Sequence, residues 1–268
     1  MAAAVTAQLA PESAWALAAQ RLEGWRPDDE QIAVLDELAH GTLTVPQFLG
    51  WCRRRYREEQ PPRRTVFARR RPYLVPGTSV LVNNLGLTEA PLLAAAEHAI
   101  SAGRTVGLLK NPPSSLSVCD AHRAIFADIY PWAGEPRITR VTKGDVEFAT
   151  VPQLSTGLAR TARDVDEAFA CADGYGPTAL AYRLARIYAD YNAVHPFREG
   201  NGRAGTLILQ LIAQRGGRWL ALDRVTRTDW IAASRASMVG ATLAGPDPTP
   251  FADLLAPLVT TREAAANG

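Results

Sequence analysis

No apolar run in this 268-residue chain approaches the ~20 residues that cross a bilayer, and the first fifteen residues lack the basic start and long apolar stretch of a secretory signal. A cytoplasmic protein with no membrane partner is therefore expected. Cysteine is scarce: Cys52, Cys119 and Cys171 are odd in number, widely spaced and form no CxxC pair. That argues against a disulfide framework and a zinc site, and leaves buried thiols as the reading. No internal repeat is visible, and no low-complexity tract apart from the alanine-rich ends. The net charge is only +2.

What is present fits one large domain, or a domain with a small module, able to bury a substantial core: apolar residues make up 47% of the chain and charged ones 21%. The charge is unevenly placed. Arg53, Arg54, Arg55, Arg57, Arg63, Arg64, Arg69, Arg70 and Arg71 put nine cations within nineteen residues. Pro61-Pro62 and the interspersed glutamates mark this run as a solvated helix end and linker. No interleaved aromatics offer bases a stacking surface, so nucleic acid is not an expected partner.

Three helices are predicted first, at about 11–24, 28–40 and from Thr44 towards Glu59. Gly24 and Gly41 stop the first two, and Thr44 with Gln47 has capping-box spacing. They form a module over residues 1–60, with a basic linker at 61–72 and the main domain at 73–268. Within the latter, Thr88 to Ala102 reads as a helix closed by Gly103, and Ser117 to Tyr130 as a helix halted by Pro131. Arg137 to Phe148 alternates like a hairpin turning at Gly144-Asp145. Helices then follow at about 151–172, 177–194, 203–215 and 227–240. His40, His98 and His122 read as packing residues, His122 beneath the hairpin.

The run His195-Pro196-Phe197-Arg198-Glu199-Gly200-Asn201-Gly202-Arg203 carries the chemistry. Gly200-Asn201-Gly202 can turn sharply and aim backbone N–H groups outward, just ahead of a helix whose N-terminus attracts anions. An imidazole can accept a hydroxyl proton, and Glu199 can hold a divalent cation bridging phosphate oxygens. These parts suit transfer of a phosphorus-centred group to a hydroxyl.

The same nine residues resemble the active-site motif of the Fic/DOC (Fido) family, HPFx(D/E)GN(G/K)R. The segments Tyr73 to Thr78 and Ile129 to Arg137 extend the resemblance over roughly residues 73–215. It implies an all-α, mainly helical Fic fold with a small β-hairpin flap, and a protein adenylyltransferase moving AMP from ATP to a Ser, Thr or Tyr hydroxyl of a protein substrate. His195 and Arg203 would be catalytic, and Gly200, Asn201, Gly202, Arg203 and Thr206 would face the nucleotide. Glu199 would bind Mg2+, and the flap Thr142, Lys143, Gly144, Asp145, Val146, Glu147 and Phe148 would dock the target. Residues 18–24 resemble the inhibitory helix of the antitoxin that accompanies toxin-type relatives, here in the same chain, with Glu23-Gly24 as the inhibitory pair.

Two positions depart from that pattern. A second arginine of the motif is Thr206 here, and the serine of the inhibitory helix is Ala19. A hydroxyl cannot replace a charged guanidinium fork. Transfer from another nucleotide or of another phosphorus group, and a non-catalytic nucleotide- or partner-binding protein, therefore stand beside adenylyl transfer as alternatives.

Overall fold

Local signals in the sequence set the N-terminal helices. In the computed structural model, which describes residues 9–58, 71–144, 146–239 and 245–266, α1 (Pro11–Leu22) starts with proline in its first turn and ends at the Glu23-Gly24 turn, where Gly24 has φ +97°. It is buried almost all round, through Trp15, Leu17, Ala18, Ala19 and Leu22. α2 (Asp29–His40) has a full capping box between Asp28 and Gln31 and closes at Gly41 in the left-handed region. α3 (Val45–Arg55) has the Thr44–Gln47 box. The arginines at 63, 64, 69 and 70, with most of the expected linker, lie outside the described residues.

α4 (Ala90–Lys110) corrects the expectation of a stop at Gly103. The helix runs straight through, because this glycine is a packing notch: a Cβ there would stand 2.1 Å from Cε1 of Phe48 in α3. Phe48, Leu17, Leu35, Ile100 and Leu211 belong to one continuous core, so the first three helices share their interior with the rest of the chain.

α5 (Val118–Phe126) is shorter than predicted, since the chain turns at Phe126 to Tyr130 before Pro131 is reached. The hairpin also contracts to two strands, β1 (Thr142–Lys143) and β2 (Val146–Glu147), paired antiparallel with Thr142 opposite Glu147. α6 (Val151–Ala170), α7 (Pro177–Val194) and α8 (Asn201–Arg215) follow, and α8, buried from Arg203 to Ala213, runs through the interior against α1, α5, α6 and α7. β3 (Trp219–Leu220), α9 (Arg227–Val239), α10 (Thr249–Leu255), β4 (Val259–Thr260) and α11 (Arg262–Ala266) complete the described chain, with β3 and β4 antiparallel. The mainly helical architecture is the expected one. Cys52 is buried, but Cys171 is exposed and corrects the reading of all three thiols as buried.

Candidate active site

The loop between α7 and α8 is fastened at several points. His195 caps α7 with φ 48° and ψ 60°, a left-handed conformation that costs a non-glycine residue energy and must be held by its surroundings. Arg137 holds it. This nearly fully buried arginine donates from Nε to the His195 carbonyl at 2.8 Å, from Nη2 to Val194 and Ala149, and from its backbone N–H to Pro196. Phe197 is buried and stacks on His122 at 3.8 Å between centroids. His122 accepts from the Gly134 N–H at Nδ1, so Nε2 carries the proton and donates to the Glu199 carbonyl at 2.9 Å. Its packing role is borne out, but behind this loop rather than beneath the hairpin.

Gly200 enters α8 at φ +81°, and a Cβ there would meet the Phe126 ring at 2.3 Å, so the residue must be glycine for two reasons. Asn201 was expected to face a phosphate with its amide. Instead its Oδ1 accepts from the Phe197 N–H and its Nδ2 donates to the Phe197 carbonyl, which closes the loop. The backbone of residues 200–202 is left facing an open cavity of about 550 Å³.

His195 lines that cavity with Phe148 of the flap stacked on its ring, centroids 3.8 Å apart. Burial pushes its pKa down to about 3, and the nearby cations Lys143 and Arg137 push the same way, against the Asn192 carbonyl. The imidazole is therefore neutral at physiological pH. Its Nδ1 has no hydrogen-bond partner among the described residues. Nδ1 is the buried nitrogen of the ring, and a neutral imidazole on the cavity wall is suited to act as a general base.

Arg203 is turned away from the cavity, contrary to expectation. It is 6% exposed and bonds through Nη2 to Glu97 of α4, with Glu199 Oε1 at 3.6 Å and the Phe126 ring 4.8 Å from its Cζ. Glu97 also accepts from the Tyr130 hydroxyl. Burial pushes Glu97 up to about 7 although Arg203 pulls it down, and the charges of Glu199 and Glu23 add to the rise. Thr206 likewise does not reach a ligand position: its hydroxyl bonds the Gly202 and Arg203 carbonyls of its own helix.

Glu23 occupies the mouth of α8. Its Oε1 lies 1.8 Å from where a Cβ on Gly202 would stand, so the carboxylate rests on the positively polarised first turn, in the place an anion would take. It forms no ion pair among the described residues, yet its charge helps raise the pKa of Arg203. α1 is fixed in register by Gln20, whose Nε2 donates to Ser101 at 2.9 Å and whose Oε1 meets His98 Nδ1 at 2.7 Å. Burial pushes His98 down to about 3, so it is a neutral packing residue stacked on Trp25, as expected.

The cavity thus brings together His195, Glu199, Gly200, Asn201, Gly202, Glu23 and the flap residues Thr142, Lys143, Val146 and Phe148. Arg203, Thr206, Gly144 and Glu147 are not on its wall, Gly24 lines the neighbouring outer groove, and Asp145 lies outside the described residues. α9 contributes Arg227, Trp230, Ile231, Ser234 and Arg235, none of which the sequence singled out for a site. No group of three His, Cys, Asp or Glu side chains suited to a metal occurs among the described residues. Glu199, 44% exposed and on the cavity wall, fits a Mg2+ ion that takes most of its ligands from phosphate and water. No described helix is long and apolar enough to cross a membrane.

Residues 113–213 match the Fic/DOC family. The chain is 30% identical over 178 residues to the probable protein adenylyltransferase Fic of Salmonella typhimurium, covering 64% of this chain and 86% of that one. It is 30% identical over 180 residues to the protein adenylyltransferase VbhT of Bartonella schoenbuchensis, covering 63% of this chain but only 36% of that longer one. Among solved structures, the BepC protein of Bartonella tribocorum with bound AMPPNP superposes with a TM-score of 0.58 at 21% identity, covering 70% of this chain and 96% of that one.

Proposed function

We propose that this chain, which belongs to the Fic/DOC family and is a nucleotidyltransferase, transfers AMP from ATP to a hydroxyl side chain of a target protein and is held in check by Glu23. The observation that carries the reading is the neutral His195 imidazole sharing one cavity with the backbone turn at residues 200–202. The target hydroxyl gives its proton to His195 as its oxygen attacks the α-phosphorus. The new P–O bond forms as the bond to the bridging oxygen breaks, and pyrophosphate leaves. N–H groups at the start of α8 receive the phosphate oxygens, and the Arg203 charge, one turn in, adds to the positive field there. Glu199 would hold Mg2+, which would supply charge compensation for the phosphates.

The flap supports target docking. Thr142, Lys143 and Glu147 are exposed on a two-stranded ribbon that pairs with no further strand among the described residues, so an extended segment of the target can add as a further strand above His195. Glu23 in the anion's place is the support for restraint of the site by α1. A different donor is the second reading, favoured by the Thr206 hydroxyl being committed to its own helix. Incubating the full-length protein and Glu23→Gly with a panel of labelled nucleoside triphosphates, with mass spectrometry of the modified residue, tests both. Incorporation from ATP that His195→Ala abolishes is expected. Label from another nucleotide, or incorporation that survives His195→Ala, would overturn the adenylyl reading.

A further inference from the structure

We propose that one face of α9 forms a second anion-binding wall of the cavity and that Arg227 on it holds the terminal phosphates of the donor. The proposal rests on the nucleotide reading above. The residues of α9 that line the cavity, Arg227, Trp230, Ile231, Ser234 and Arg235, stand at i, i+3, i+4, i+7 and i+8, a single helical stripe. Its centre is fixed: Trp230 is buried, donates from Nε1 to the Tyr188 hydroxyl at 3.0 Å, and packs edge-on against Tyr188 and Phe251. The stripe therefore presents its two arginines from a firm base.

Neither arginine is in an ion pair among the described residues, although both line a cavity that also holds carboxylates. Arg227 is the first residue of α9, the end at which the helix dipole disfavours a cation. An unpaired guanidinium there, facing a cavity that also receives the positive end of α8, makes a field suited to a multiply charged anion.

Position narrows the assignment to Arg227. Its Nε lies 3.5 Å from where a Cβ on Gly24 would stand, beside the turn that puts Glu23 on α8. When a phosphate replaces that carboxylate, the rest of a polyphosphate leads away from α8 past this turn, to Arg227. The motif positions do not receive it, since Arg203 faces Glu97 and the Thr206 hydroxyl bonds its own backbone.

Calorimetric titration with ATP and with AMP, in magnesium buffer, separates this contact from general electrostatics. The full-length Glu23→Gly protein is compared with the same protein also carrying Arg227→Ala, Arg227→Lys or Arg235→Ala. Arg227→Ala is expected to weaken ATP by about tenfold and AMP by less than about twofold, with partial recovery in Arg227→Lys. Unchanged ATP affinity, an equal loss for ATP and AMP, or an equal loss in Arg235→Ala would overturn the role of Arg227 while leaving nucleotide binding intact. Failure of the Glu23→Gly protein itself to bind ATP would overturn the nucleotide reading, and this proposal with it.

Discussion

Glu97 and Arg203, 106 residues apart in sequence, form a buried ion pair that ties the middle of α4 to the first turn of α8. The motif arginine is thus held from below by a carboxylate outside the motif. Without Glu97, Arg203 would keep, among the described residues, the more distant Glu199, a long 3.5 Å contact with Ser101 Oγ and the face of the Phe126 ring. Glu97→Ala is expected to destabilise the protein by about 3–5 kcal/mol in urea unfolding, and Glu97→Gln by less, because the amide oxygen still accepts. A loss of under about 1 kcal/mol in Glu97→Ala would show that Arg203 finds another partner.

Glu23→Gly is expected to raise incorporation of label from ATP by about tenfold or more, because it empties the anion position on α8. Equal incorporation by the native chain and the variant would remove Glu23 as a restraint.

Gly103→Ala sets two effects against each other. Alanine favours the helix by about 1 kcal/mol, but its methyl collides with Phe48, an overpacking cost of about 1–3 kcal/mol. A net loss is expected in denaturant midpoint. Combining it with Phe48→Ala should turn the glycine replacement neutral or favourable, and a double-mutant cycle with no coupling would refute the notch.

Those residues also show where the sequence was readable. The capping boxes at Asp28 and Thr44, the proline starts, and the loop between α7 and α8 depend on neighbours a few positions away, so their spacing reveals them. Gly103 was misread because a glycine that ends a helix and one that admits a ring from another helix look alike until the ring is in place. Glu97, Arg137 and His122 act through partners 106, 58 and 77 residues away, and no local pattern marks them. Arg227 and Arg235 carried a faint signal, since they lie on one face of a predicted helix, but nothing local says which face meets the site.

Stability should fall in mild acid. His98, His122 and His195 are held near pKa 3 by burial against an ordinary 6.5, so unfolding takes up protons between those values and each contributes stability that is complete above 6.5 and lost as pH drops toward 3. Glu97, raised from 4.5 to about 7, works oppositely: its contribution is present below 4.5 and lost as pH rises through 7. Three imidazoles outweigh one carboxyl, so the Tm should be lower at pH 5 than at pH 7.5, with a shallower dependence in His98→Gln. A flat profile, or an unchanged slope in that variant, would contradict the burial assigned to these rings.

Arg137→Gln should lower kcat with little change in ATP affinity, since it releases the left-handed His195 and the flap base but touches no phosphate site. A loss confined to ATP affinity, measured by titration alongside single-turnover rates, would place its role elsewhere.

The Phe48 ring seated in α4 has a bearing on how the enzyme could be switched on. Detaching the three leading helices as a body would draw an aromatic plug out of its socket and expose the interior they share with the catalytic half. If Glu23 restrains the site as proposed, release that spares the fold would be confined to a small hinge, the few residues from Glu23 to Asp28 swinging aside while the helices around them stay seated.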